Sequence, residues 1–309
     1  HHLGQVKTIL RPTQGFVNLC LIVNDCHVIR FDALDDEDQA DRYQTEKLAY
    51  TLLGGIVPVP EVIALDESRS LAPVNYLITT KCPGRQMIER WQDLTGAQRQ
   101  RAAFQAGVCL AQMHNQTLFR RCGAPHKVVE GKGFVVWYDY MKDFADRYMR
   151  EARELQALDE PMMKRIDRTV TGLKPIMETV TQAVLLHSDY HFENVLQSDG
   201  MVTGIIDFEW AITGDPAWDF RVEDKWEEMC PGSREIIYAG YQSRRTLPDH
   251  LQHRAALYKL LMWLDNVVLN AFRGNSTEYQ ESLTVMTRYL IWLEQNELGS
   301  TTTGDRCTS

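Results

Sequence analysis

No apolar run in the chain approaches the ~18–20 residues that a membrane helix needs, so no membrane partner is expected. No CxxC pair occurs, and the seven cysteines, at 20, 26, 82, 109, 122, 230 and 307, are odd in number. Neither a disulfide framework nor a zinc site is therefore expected, and the thiols should be reduced and mostly buried. Positive charge is also short: 33 Lys and Arg against 42 Asp and Glu leave a net charge of −9. A nucleic-acid binder displaces counterions with clustered Lys and Arg. No such cluster is present, so no nucleic-acid partner is expected, while an acidic surface favours a cationic small molecule. The start, His1 to Arg11, is polar and mixed in charge, which does not read as a secretory signal. A cytoplasmic protein is the expectation.

What is present is ordinary globular composition, 44% hydrophobic and 24% charged residues. At 309 residues the chain exceeds the size at which one hydrophobic core stops growing, and two lobes are expected. Phe16–Val23 reads as a strand, Asn24-Asp25 as a turn and His27–Phe31 as the returning strand. An acidic stretch, Asp35 to Asp41, leads into a helix over Arg42–Leu53, closed by Gly54-Gly55 and the prolines at 58 and 60. Strand-like segments follow at Glu61–Leu65 and Asn75–Thr80, and Cys82-Pro83-Gly84 breaks the pattern as a hinge.

Beyond the hinge the chain turns helical. Phe104, Val108 and Ala111 are expected on one face of a helix ending near His114, itself expected as a core histidine. Trp137–Leu158 is a charged helix. A β-rich passage, Ala183 to Ile206, interrupts. Two apolar helical stripes close the chain, one of Leu257, Leu260, Leu261, Leu264 and Val268, the other of Met286, Leu290 and Leu293. The division expected is a β-rich lobe over 1–83, a mainly helical lobe over 84–300 and a disordered tail over 301–309.

The chemistry concentrates between Val184 and Phe220. Val184-Leu185-Leu186 suits a buried strand end and delivers His187-Ser188-Asp189-Tyr190-His191-Phe192-Glu193-Asn194. Val195-Leu196-Gln197, the turn Ser198-Asp199-Gly200 and Val202–Ile206 form a hairpin that ends at Asp207. The polar clusters 187–194 and 207 thus come to the same end of one hairpin. Phosphoryl transfer needs one carboxylate to orient an acceptor hydroxyl, and a second carboxylate with an amide oxygen to hold Mg²⁺.

These residues resemble a known family. HSDYHFEN fits H-x-D-x-x-x-x-N, the catalytic loop of the aminoglycoside phosphotransferases and related small-molecule kinases. Ile206-Asp207-Phe208-Glu209-Trp210 resembles the family's I-D-[WF]-E segment, and Gly214-Asp215-Pro216-Ala217-Trp218-Asp219 its G-D-P-x-x-D signature. The three occur in order, with the two key acids eighteen residues apart. The resemblance implies an α+β, bilobal protein-kinase-like fold, with ATP or GTP and Mg²⁺ as cofactors. It implies Asp189 as the catalytic residue, Asn194 and Asp207 as Mg²⁺ ligands, and His187 and Asp219 as structural.

By matched position, Arg30 in Val28-Ile29-Arg30-Phe31 grips the nucleotide phosphates and Glu46 is its helical partner, sixteen residues on. The phosphate-covering loop is Pro12 to Asn18, where Gly15 is the only glycine. Tyr76–Arg85 resembles the family's linker, with backbone near Thr80 and Cys82 facing the purine. Relatives phosphorylate aminoglycosides, macrolides, other antibiotics, choline, homoserine or methylthioribose. An antibiotic-modifying kinase is the foremost expectation, with a metabolite kinase or a nucleotide-binding pseudokinase as alternatives. For a cationic acceptor the candidate acids are Asp265, Glu223 and Asp224, and an aromatic cage could be built from Trp137, Tyr138, Tyr140, Trp226 and Trp263.

Overall fold

In a computed structural model of the chain, the residues described are 4–12, 19–31, 37–116 and 118–296, with backbone alone for 37–41. Gly15 and the tail 301–309 lie outside them. Eleven strands and eleven α-helices fall within the described residues. In order they are β1 Ile9–Leu10, β2 Leu19–Val23, β3 His27–Phe31, α1 Glu37–Leu53, β4 Val62–Asp66, β5 Tyr76–Thr80, β6 Arg85–Gln86 and α2 Met87–Arg90. There follow α3 Gly96–Gln116, β7 Leu118–Phe119, α4 Pro125–Val129, α5 Trp137–Glu154, α6 Glu160–Gly172 and α7 Lys174–Met177. The last are β8 Ala183–Leu186, β9 Val195–Ser198, β10 Met201–Ile205, β11 Ile212–Gly214, α8 Glu223–Met229, α9 Arg234–Gln242, α10 Leu251–Arg273 and α11 Ser276–Gln295. By its contacts the chain divides into two compact units, His1–Val135 with Gln182–Pro248, and Val136–Thr181 with Asp249–Ser309. The hinge expected at Cys82–Gly84 lies inside the first.

The first unit holds every sheet formed by the described residues. Its five-stranded antiparallel sheet has the order β1-β2-β3-β5-β4, which makes β3 a central strand. Asn24 and Asp25 turn β2 into β3 with φ of 54° and 55°, a conformation that short polar side chains tolerate better than most. Helix α1 turns Tyr43, Glu46, Tyr50 and Leu53 inward, a spacing of three, four and three that places them on one face. One of the four is a carboxylate, which an apolar stripe does not carry without a partner.

The β-rich passage after Gln182 is not one sheet. Strand β8 pairs with β7 and β11, whereas the β9–β10 hairpin pairs with β6. All four residues of β8 are buried, as a strand flanked on both sides requires. The hairpin turns at Asp199 and Gly200, with φ of 51° and 77°.

The expected face of α3 is corrected. Phe104 is 39% exposed, and the inward residues are Ala102, Ala103, Ala106, Gly107, Cys109, Leu110, Met113 and His114 along with Ala111. The cause is the close crossing of α9. A Cβ on Gly107 would sit 2.1 Å from the Ile237 carbonyl oxygen, and one on Gly240 2.1 Å from that of Phe104. Small residues thus form the packed side because backbone meets backbone there.

The second unit is helical, built from α5, α6, α7, α10 and α11. Leu257, Leu260, Leu261, Leu264 and Val268 of α10, and Met286, Leu290 and Leu293 of α11, are its buried stripes. Gly274 ends α10 with φ 67°, the left-handed cap that glycine adopts without penalty. No helix among the described residues is long and apolar enough to cross a membrane.

Candidate active site

Within the first unit three stretches of chain converge: the β3–α1 pair, the loop after β8 and the turn after β10. The first group is built on Arg30. Its Nη1 donates to both Glu46 oxygens at 2.7 Å, and its Nη2 donates to Glu209 Oε2 at 2.6 Å. The same Nη1 lies 3.3 Å from Asp207 Oδ1. Tyr50 couples the group to the turn, its O–H donating to Glu46 Oε1 at 2.6 Å and its oxygen accepting the Asp207 N–H at 3.1 Å. One guanidinium therefore faces three carboxylates. Burial pushes the Glu46 carboxyl up to about 7 against the pull of Arg30, and burial with the Asp207 charge pushes Glu209 up as well. Arg30 stays charged because its intrinsic basicity and these acids outweigh its burial.

The second group is the catalytic-type loop. The Asp219 carboxylate accepts the N–H of His187 at 3.0 Å and of Ser188 at 2.7 Å, while His114 Nε2 lies 3.0 Å away on the far side. His114 is completed by the Tyr241 hydroxyl at 3.0 Å. The loop is thus hung from a buried Asp–His pair, and Asp219 is held below the ordinary carboxylate range by these bonds despite burial. His187 Nδ1 accepts the Asp189 N–H at 3.3 Å, so its Nε2 carries the hydrogen that meets the Ile206 carbonyl at 2.9 Å. Burial lowers the His187 pKa, which keeps this neutral tautomer.

Ser188 has φ of 67°, and Asp207 has φ of 69°. A left-handed conformation in each is held by its surroundings. For Ser188 the holders come from the turn Pro216–Val222: Trp218 Nε1 donates to its Oγ at 3.1 Å and Arg221 to its carbonyl. Asp215 caps that turn by accepting the Ala217 N–H at 3.0 Å.

Asp189 is part exposed. Its Oδ2 receives His191 Nε2 at 3.0 Å and Asn194 Nδ2 at 3.3 Å, and its Oδ1 lies 3.8 Å from Lys225 Nζ. Burial would raise its pKa, but the bond from His191 and the nearby positive charge hold the carboxyl well below the usual range. The Ile206 N–H donates to the Asn194 carbonyl at 3.0 Å, so Asn194 and Asp207 adjoin across one backbone bond.

A hard divalent cation fits this place. Asp207 Oδ1 is buried and makes no hydrogen bond, although Arg30 Nη1 lies 3.3 Å away, so it keeps capacity to ligate a metal ion. Among the described residues no group of three or more His, Cys, Asp or Glu forms a metal cage. Magnesium rarely uses one, since it takes one or two protein oxygens and completes its shell with water and phosphate.

At the linker, the Thr80 N–H is committed to the Glu61 carbonyl at 2.9 Å, and the Lys81 N–H to the Cys26 carbonyl at 2.8 Å. Cys82 is half-buried against Gly204, where a Cβ would lie 2.7 Å from its own. Gly15 lies outside the described residues. The three acids considered for an acceptor are each engaged within their own unit. Glu223 accepts from the Tyr238 hydroxyl, and Asp224 lies 3.6 Å from Arg234 Nη1 in the first unit. Asp265 in the second is bonded to Tyr148. The aromatic cage is corrected: Trp137 and Trp226 are wholly buried, and their indole N–H groups go to the Tyr258 hydroxyl and the Tyr190 carbonyl.

Glu209, Tyr50, His191 and Arg221 are site residues that the motif alone leaves without a role. Glu209 and His191 stand in plain view inside the two motifs. Tyr50 was visible only as the residue one turn after Glu46 on the buried face of α1.

A β-rich N-terminal region that carries an Arg–Glu pair, followed by a mainly helical part containing this loop, is the architecture of the protein-kinase-like phosphotransferases. The model of the phosphotransferase enzyme family matches residues 24–222, and the chain belongs to that family. Solved structures share the fold across nearly the whole chain at low identity. The GDP complex of wild-type aminoglycoside 2'-phosphotransferase-IIIa is 18% identical, with TM-score 0.68 over 93% of this chain and 94% of that one. The streptomycin–ATP–APH(2")-IIa ternary complex is 15% identical, with TM-score 0.69 over 93% of each. A thermostable mutant of aminoglycoside phosphotransferase APH(4)-Ia in its apo form is 17% identical, with TM-score 0.67 over 94% and 96%. No curated protein matches the chain in sequence.

Proposed function

We propose that this protein transfers the γ-phosphoryl group of ATP or GTP to a hydroxyl of a small molecule, foremost an aminoglycoside or another antibiotic. The observation that carries the proposal is the linked pair of groups. Arg30, fixed by Glu46, adjoins Asp207, which adjoins Asn194, which is bonded to Asp189. That is the order in which a phosphate grip, a cation site and a hydroxyl-orienting carboxylate must follow one another. The similarity to structures that hold GDP, ATP and aminoglycosides supports the same assignment.

In this scheme the strands up to Pro83 form the nucleotide lobe and residues 84–300 the lobe that carries the loop. Cys82 offers the linker's backbone N–H to the purine, because those of Thr80 and Lys81 are already used. Arg30 binds the phosphates. Asp207 and Asn194 would hold Mg²⁺, which supplies charge neutralisation at the phosphate oxygens when bound. Asp189 accepts the acceptor's O–H hydrogen. The acceptor oxygen then bonds to the γ-phosphorus, the bond to the β,γ-bridging oxygen breaks with its electron pair on the diphosphate, and the hydroxyl proton passes to Asp189 and on to solvent. A carboxyl held so far below the usual range is a weak base. The loose transition state of phosphoryl transfer needs the hydroxyl oriented more than deprotonated. A cationic acceptor would have to compete for Glu223, Asp224 or Asp265 with their present partners.

The test is nucleotide consumption with ATP and with GTP, in Mg²⁺, across aminoglycosides, macrolides, choline and homoserine. Turnover on an antibiotic alone supports the proposal. Turnover on choline or homoserine alone replaces it with a metabolite kinase. Nucleotide binding without any turnover replaces it with a pseudokinase.

A further inference from the structure

The Asp189 carboxylate has two unlike oxygens, and its neighbours make them so. Oδ2 receives two donors, His191 Nε2 at 3.0 Å and Asn194 Nδ2 at 3.3 Å. The Oδ1 oxygen lies beside Lys225 Nζ at 3.8 Å, beyond hydrogen-bond reach. His191 is itself buried, 6% exposed. Its Nδ1 accepts the Glu193 backbone N–H at 3.3 Å. A ring nitrogen that accepts carries no hydrogen, so the hydrogen of the neutral ring is on Nε2. An ionised carboxylate only accepts, which requires the same assignment from the other side of the bond.

We propose that His191 is a positioning residue that occupies Asp189 Oδ2 as an Nε2–H donor and thereby leaves Oδ1 as the atom that receives the acceptor hydroxyl. The inference rests on the phosphotransferase assignment above. A carboxylate hung on one carbon is otherwise free to rotate and present either oxygen. Two donors on the same oxygen remove that freedom before the acceptor arrives, which is where effective concentration in a group transfer originates. Asn194 alone would leave the hold to one weaker bond, and Asn194 is also assigned to the cation. The Lys225 ammonium then marks the side from which the hydroxyl approaches.

The test has two independent parts, made on the full chain with Mg²⁺·ATP. In the first, wild type, His191→Phe, His191→Gln, Asp189→Asn and the double variant His191→Phe/Asp189→Asn are compared. The readouts are nucleotide affinity by calorimetry and turnover with kanamycin and with water as acceptors. His191→Phe should lower kcat by ~10–100-fold while nucleotide Kd stays within about twofold, since the loss falls on orientation and not on the phosphate grip. His191→Gln, whose amide N–H can reach Oδ2, should recover most of it. In the Asp189→Asn background the His191 change should have no further effect, because there is no carboxylate left to place. In the second part, nitrogen NMR of histidine-labelled protein, with His191 assigned from the signal lost in His191→Gln, should show the Nε2–H tautomer.

Unchanged kcat in His191→Phe, or additive losses in the double variant, overturns the inference while leaving the transferase assignment standing. An Nδ1–H tautomer does the same. Wild-type protein that transfers to neither water nor any acceptor of the panel overturns the transferase assignment, and this inference with it.

Discussion

The loop around Asp189 and the cluster around Arg30 solve opposite problems with the same side-chain types. Asp189 is part exposed, and donors crowd one of its oxygens, so its charge is secured by hydrogen bonds and its pKa is driven down. Glu46 and Glu209 are buried, and their pKa values are driven up by burial despite a guanidinium within 2.7 Å. The loop keeps a charge ready for a partner that comes and goes. The cluster keeps three acids around one guanidinium, the group proposed to grip a phosphate. Hydrogen bonds that cost little to make suit the first task, and an ion pair that costs much to break suits the second.

The variants that break this contrast hardest are those at the point where the two groups touch. Asp207→Ala removes the buried oxygen without a hydrogen-bond partner and one of the acids around Arg30. Mg²⁺-dependent nucleotide binding and turnover should both vanish, and chelation of Mg²⁺ in wild type should reproduce the loss. Calorimetry with and without chelator checks this, and Mg²⁺-dependent binding that survives in the variant would refute the assigned ligand. Asp189→Asn should separate the groups cleanly. Turnover should fall by ~10²–10⁴-fold while nucleotide Kd is unchanged, because the carboxylate is assigned to the acceptor hydroxyl and not to the nucleotide. A parallel loss of nucleotide affinity would show that the two groups act as one.

Arg30→Ala should lower stability as well as nucleotide affinity. It strands Glu46 and Glu209 in a buried place, and uncompensated buried charge costs about 3–5 kcal/mol. Arg30→Lys should fall between, since an ammonium cannot span three carboxylates as a planar fork does. Denaturant unfolding of the three proteins orders them, and equal midpoints would refute the clasp.

The smallest effect is expected in the second unit. Burial raises the pKa of Asp265 against the hydrogen bond from Tyr148 and the charge of Arg147. A group whose pKa is raised by folding contributes stability below its ordinary value, near ~4 for aspartate, and loses it as pH rises through the raised value. Asp265→Asn should not lose it. Melting temperature measured between about pH 4 and pH 8 should therefore favour the variant increasingly toward the alkaline end. A difference that stays flat would mean that Asp265 is not strained, and would return it to the candidates for holding a cationic acceptor.

Legibility followed chain distance. The loop Asp189–Asn194, the hairpin after it and Asp207 lie within nineteen residues, and their motif and turn chemistry carry the information locally. The split of that passage into two sheets was not legible, because β8 finds partners at Leu118–Phe119 and Ile212–Gly214 that alternation cannot name. The inward face of α3 was misjudged for a similar reason. Apolar spacing pointed to Phe104, yet the crossing partner α9 comes so near that at Gly107 and Gly240 only glycine fits. Glu209 was visible in the motif, but its bond to Arg30 spans 179 positions.

By itself the sequence determined the family, the order of the strands in the first hairpin, and which carboxylates and amide the family motifs single out. Those follow from short-range patterns, in which neighbours along the chain are neighbours in space. Only the tertiary structure decided that one guanidinium serves three acids, that Trp137 and Trp226 are core and not cage, and which oxygen of Asp189 is left open. Each of these depends on burial and on side chains brought together from distant segments. Burial and hydrogen-bond saturation belong to the packed fold and are not properties of any residue type.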